Sequence, residues 1–237
     1  MLERIRIADT FIWLDTAQYT NRDWENRCHI KGSTGRIWLT VPVKAHLRKT
    51  PNRFIYIANR EQTQWREKII RSIEHNYSRA AFFDLYWPEL KEIFQAEWNA
   101  LIDLNIATTE WLLDHLEINT RMVRASETGV NWHLMGNLEL ITLTESVGGT
   151  EYISGPIGTV YLSRRKWQEA DLGVRVHRWL PRCYGQLHGN WIGNLSCIDA
   201  LFNLGAKGLL QIIDSEVSEH NCPWEIPPLE PDTEDVA

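Results

Sequence analysis

Short runs of β-forming apolar residues alternate along the chain with longer segments whose apolar residues recur every three or four positions, and nothing else in the sequence limits the fold as much. Residues 8–15 (ADTFIWLD) read as a buried strand ending on an acid, 36–43 (RIWLTVPV) as a second strand that Pro42 places at a sheet edge or brings to its end, and 54–57 as a third. Helical spacing then takes over. Trp65, Ile69, Ile70 and Ile73 share a face behind an Asn59–Gln62 pair that resembles a capping box. Residues 86–97 align Leu90, Ile93, Phe94 and Trp98, and 98–116 continue the pattern. Further on, predicted strands at 121–125, 151–153 and 174–179 alternate with predicted helices at 133–147, 163–170 and 197–213. Gly148-Gly149 stops the first of these helices, and the last is broken near Gly205 or Gly208. The expected fold class is α/β: a single layered domain over 1–221 with a mixed or mainly parallel sheet flanked by helices. Residues 222–237 form a Pro-rich acidic tail that is expected to be disordered.

Composition removes several classes of function. Of the 31 acids, five lie in 223–237, so the remaining 26 face 25 basic residues and the body of the chain is nearly neutral. The net charge of −6 therefore argues for neither nucleic acid nor membrane surface, and no nucleic-acid module motif is present. No apolar stretch is long enough for a membrane helix, and the first residues lack a signal-peptide core, which predicts a cytoplasmic protein with no membrane span. Cys28, Cys183, Cys197 and Cys222 make no C-x-x-C pair, and the histidines show no metal spacing. No metal is expected and no cofactor is specified. Twelve tryptophans imply a core rich in aromatic mass.

Three polar clusters are candidate sites. The first is Asp15, Gln18, Trp24, Asn26, Arg27 and Lys31, read as a loop following the first strand, where ligands of α/β sheets bind. Asp15 can act as a base or hold a metal or a ribose hydroxyl, and Arg27 and Lys31 can hold a phosphate or carboxylate. The second contains Ser154 and Tyr161 around Ser-Gly-x-x-Gly, a turn able to cradle an anion. The third holds Tyr184, Gln186, Ser196 and Asp199, with Ser196 or Asn194 read as a helix cap and Asp199 in the first turn. Basic stretches at 44–79 and 163–182 would attract an anionic small molecule such as a nucleotide-sugar or a coenzyme A thioester.

In order along the chain, D-x-x-Q-Y…W-x-N-R-x-x-I-K, the strand Leu-Thr-Val-Pro-Val, Asn76-Tyr77…Phe82-Phe83, Y-x-S-G…Y-L and Y-x-Q…L-S-x-x-D-x-L-F-N-x-G resemble the WbqC-like family over about residues 8–205. The resemblance implies a place in bacterial surface-polysaccharide synthesis. The activity it implies is a small-molecule transferase adding an acyl or aminoacyl group to an amino sugar; the alternative is a non-catalytic binding or assembly protein of the same pathway. In the transferase reading Asp15 is the general base, Tyr184 and Gln186 orient the acceptor, and Gln18, Trp24, Asn26, Arg27, Lys31, Ser154, Tyr161, Ser196 and Asp199 bind substrate. Members of that family begin further upstream with an additional strand. The expectation is therefore either a longer native product or an open edge beside residues 9–15, and such an edge invites a homo-oligomer.

Overall fold

The computed structural model describes residues 1–21, 23–47, 49–59, 64–131, 136–180 and 182–214. Its elements run α1 (Leu2–Ile7), β1 (Thr10–Trp13), β2 (Arg27–Gly32), β3 (Gly35–Thr40), α2 (Trp65–Tyr77), α3 (Phe83–Gln95), α4 (Leu101–His115) and β4 (Arg121–Arg124). There follow α5 (Asn137–Ser146), β5 (Glu151–Ser154), α6 (Gly158–Tyr161), α7 (Arg164–Glu169), β6 (Gly173–Val176) and α8 (Cys197–Asp214). The fold is α/β, and its strand pairing is mostly parallel: β1 pairs with β4 and β5 with β6 in parallel, while β2 and β3 form an antiparallel hairpin. The described contacts gather into two compact units. Residues 222–237 lie outside the described residues.

The first unit is Met1–Thr16 with Thr120–Leu180. It contains both parallel pairs, with Thr10 opposite Arg121 and Glu151 opposite Gly173. The core under β5 is Leu140, Ile141 and Trp167, packed by Tyr152, Leu162, Ala170 and Leu172. Trp167 donates to Asn137 Oδ1 at 3.0 Å, so its burial leaves no orphaned indole N–H. All of β1 is half-buried, not buried as its apolar sequence suggests.

The second unit is Ala17–Asn119 with 182–214. Helices α2 and α8 pack against the hairpin, and α3 packs on α2, α4 and α8. Trp65, Ile69 and Ile73 are buried on α2 at the expected spacing. Trp87 and Trp111 are buried as well, and they donate to Glu74 and Glu89. Trp24 and Trp38, by contrast, are exposed, as is Trp179 in the first unit, so the aromatic mass is only partly core.

Several expectations are corrected. Residues 54–57 are not a strand: a 3-10 turn at Asn52–Phe54 leads to single bridges from Tyr56 to Ala100 and from Ile57 to Val43. Asn59 does not cap α2. Its side chain donates to Trp98 O and accepts from Trp65 Nε1, and Gln64 is the N-cap; Gln62 is outside the described residues. The supposed loop at 27–32 is strand β2, whose alternation of Arg27, His29 and Lys31 with Cys28, Ile30 and Gly32 is the period-two signal of a half-buried strand. The helix expected at 98–116 begins at Leu101, because Ala100 is extended and bridged to Tyr56.

α8 is interrupted at Gly205, as its sequence foretells, with φ 71° and ψ 176°. An ideal Cβ there would stand 2.9 Å from the Phe82 ring. Backbone conformation and contact therefore both demand glycine. Gly205→Ala should lower unfolding stability by about 3 kcal/mol, measured by urea denaturation.

Candidate functional site

A fully buried carboxylate organises the second unit. Asp199, on the first turn of α8, accepts hydrogen bonds from Tyr77 Oη and Tyr184 Oη, each at 2.7 Å. Tyr77 Oη in turn accepts from the backbone N–H of Lys31 at 2.9 Å. Burial and the neighbouring Asp199 charge push both phenols well above their ordinary range, so both stay protonated donors. Lys31 is buried too, and its Nζ donates to Asn190 O at 2.6 Å and Gly189 O at 3.2 Å. Burial lowers the Lys31 pKa, and the Asp199 charge opposes that shift.

This network fixes the loop between Tyr184 and α8. Gln186 closes a ring on Ile192, donating to its carbonyl at 3.0 Å and accepting from its N–H at 2.9 Å. Arg36 Nη2 donates to Gly193 O, His188 contacts Asn76 O, and Ser196 N donates to His29 O. The Ser196 hydroxyl faces Cys28. Loops closed on themselves in this way commonly display functional groups on a rigid support.

Beside the loop, the outer face of the hairpin carries Arg27, His29 and Lys31 opposite Thr40, Trp38 and Arg36. Its exposed part is an aromatic platform. His29 lies 3.6 Å from Trp38 between ring centroids, Trp24 is 5.5 Å from each, and the Arg27 guanidinium sits 4.2 Å over Trp38. Burial and then the charges of Arg36 and Arg27 lower the His29 pKa, which marks the platform as electropositive. A groove of about 240 Å³ opens next to it, lined by Trp38, Thr40, Pro42, Trp65, Lys68 and Ser72 among others.

The structure thus groups Lys31, Tyr184, Gln186, Ser196 and Asp199 around one loop and Trp24 and Arg27 on the adjoining face. Asn26 is spent on Tyr19 and Val41, and exposed Gln18 forms a single bridge with Pro51. Asp15, Ser154 and Tyr161 belong to the first unit. Both Asp15 carboxylate oxygens accept from Ser126, at 2.9 Å from its N–H and 2.6 Å from its hydroxyl, so Asp15 secures the 3-10 turn after β4. Ser154 is buried at the end of β5, with its hydroxyl on Gly155 O, and Tyr161 is exposed. Among the described residues no three His, Cys, Asp or Glu side chains are grouped to hold a metal, and no helix is long and apolar enough to cross a membrane.

The chain matches the WbqC-like protein family across residues 2–210. It belongs to that family. It is 34% identical over 212 residues to the uncharacterized protein Rv1507c of Mycobacterium tuberculosis, covering 86% of this chain and 87% of that one. No solved structure matches it.

In this WbqC-like chain, the residues that sequence reasoning missed are Tyr77, Arg36, His29 and Trp38. The two strands' alternation could have found the last three, because it places them on the face of Arg27. Nothing local marks Tyr77, whose partner Asp199 is far along the chain. The three described cysteines differ sharply. Burial raises the Cys28 thiol to about 11 and raises Cys197 as well, whereas Cys183 is exposed. A short iodoacetamide pulse at neutral pH, read by peptide mass spectrometry, should label Cys183 well before Cys28 or Cys197.

Removing the Asp199 charge tests the network itself. Asp199→Asn sets an amide N–H₂ against one tyrosine donor and takes the opposing charge from Lys31. Stability should fall by about 3 kcal/mol in urea, with faster hydrogen exchange across 184–196.

Proposed function

We propose that the chain is a small-molecule transferase of surface-polysaccharide synthesis whose second unit holds the nucleotide part of an anionic substrate. The acyl donor, a coenzyme A thioester that leaves as the free thiol when the amide forms, and the acceptor, a nucleotide-linked amino sugar, share that part. The observation behind this reading is the platform of Trp24, His29 and Trp38 flanked by Arg27 and Arg36. A nucleobase or sugar ring stacks on flat side chains, and planar guanidinium groups match phosphate oxygens. Tyr184, Gln186 and Lys31 act as positioning residues that keep the adjoining loop in place. The group passed on is acyl or aminoacyl, and the acceptor is an amino sugar.

One observation favours the second reading, a binding or assembly protein of the same pathway. Tyr184 and Asp199 are engaged with one another, and Asp15 is engaged with Ser126, so these polar groups already have protein partners.

Isothermal titration with nucleotide-sugars and acyl thioesters of coenzyme A tests the site. One of these classes should bind, and Trp38→Ala should weaken it roughly tenfold or more, as expected for a lost stacking partner. Bound diphosphate should also raise the His29 pKa in an NMR titration, since it offsets the charges of Arg36 and Arg27. No binding by either class would overturn the nucleotide assignment. Binding without turnover of any amino-sugar acceptor would favour the assembly reading.

A further inference from the structure

The first unit carries a second constellation at the carboxyl ends of its strands β5 and β6. In parallel α/β sheets that end of the strands is where ligands collect. Ser154 closes β5 opposite Val176 of β6, and the next residue, His177, donates its backbone N–H to Ser154 O at 2.8 Å. The His177 imidazole meets α1 directly. Its Nε2 lies 2.6 Å from Glu3 Oε2, and the Glu3 side chain is 8% exposed against 25% for His177. A buried carboxylate on one ring nitrogen fixes ring orientation and leaves the other nitrogen for a ligand, as acceptor in the neutral ring or as donor in the protonated one. Among the described residues none hydrogen-bonds His177 Nδ1.

The adjoining Arg4 is half-buried and has no carboxylate partner among the described residues. A half-buried guanidinium without a protein counter-charge keeps donors available to an anion. Its guanidinium lies along the backbone after β5: an ideal Cβ on Gly155 would stand 3.4 Å from Arg4 Nη1. The turn is held tightly. A Cβ on Gly158 would collide with the Ser154 hydroxyl, so Ser154 and Gly158 lock its shape. Burial and neighbouring Tyr161 raise the Tyr152 phenol to about 12 despite nearby Arg4. It therefore presents a neutral hydroxyl.

We infer that Arg4 and His177 form a binding site for a compact oxyanion, a phosphate monoester or a carboxylate, with Glu3 positioning the imidazole and Gly155 letting the guanidinium lie against the turn. The guanidinium supplies paired donors, and the open nitrogen of His177 supplies the third contact. This site is independent of the aromatic platform. It gives the chain a place for a second, smaller anionic molecule.

Inorganic phosphate and acetate, each titrated into the full chain, separate the two sources of oxyanion, with sodium chloride matched for ionic strength. The readout is the His177 ring signals in a ¹H–¹³C and a long-range ¹H–¹⁵N spectrum. Phosphate, acetate or both should shift these signals saturably in the millimolar range, and chloride should not. Arg4→Gln should weaken the effect at least tenfold, while Arg4→Lys should keep part of it. Glu3→Gln should change the ring's ¹⁵N tautomer signature even without added anion, which a purely structural contact elsewhere would not do. Trp38→Ala should leave all of these responses intact, so failure here and failure of the nucleotide site are distinguishable. An absence of saturable shifts with both anions, an equal response to chloride, or an undiminished response in a folded Arg4→Gln would each overturn the assignment.

Discussion

A single carboxylate, Asp199, sits where helix, hairpin and loop of the second unit meet. It takes a hydroxyl from α2 through Tyr77 and one from the loop through Tyr184. Tyr77 passes the constraint to the edge of β2 by accepting the Lys31 N–H, and the Lys31 side chain returns it to the loop at Gly189 and Asn190. Each member is a polar group that would be expensive in isolation and is tolerated because the others satisfy it. Such a ring has one arrangement in which all its donors and acceptors are met. That uniqueness, more than net stabilisation, is what it contributes to the fold.

The hairpin divides its labour by alternation. Cys28, Ile30, Ile37 and Leu39 face the helices, and the intervening residues bring Arg27, His29, Arg36 and Trp38 to the other side. The inner face is anchored by packing and the edge of β2 by Tyr77 and Ser196, so the outer face is rigid without needing side-chain contacts of its own. An exposed tryptophan on a strand, as Trp38 is, loses little entropy when a flat ligand stacks on it.

Much of this was legible from spacing. The apolar face of α2, the break at Gly205 and the strand-to-helix alternation that sets the fold class all follow from local patterns. β2 was hidden because its outward residues are polar and lie next to a polar turn, so composition masked a clear two-residue period. The role assigned to Asp15 rested on its place after a strand; sequence alone could not show that Ser126, far away in the chain, occupies both its oxygens. For Asp199 the local signal, an acid in the first turn of a helix, pointed to the helix dipole; Tyr184 stood in the same cluster, but Tyr77 comes from far along the chain. Ser126 and Tyr77 were missed because they are long-range partners and periodicity is local.

The path of the chain through its two units has a consequence for how the molecule is made. The chain begins in the first unit, crosses to the second after Thr16, returns at Thr120 and leaves again after Leu180. Neither unit is contiguous. On the ribosome, β1 emerges long before β4 exists to pair with it, and Lys31 waits for a loop some 160 residues downstream, at Gly189 and Asn190. Loop closure over such distances is slow. Nascent chains of this protein therefore carry an unpaired β1 until residues 121–124 have emerged and an uncovered lysine until residues 189–190 have.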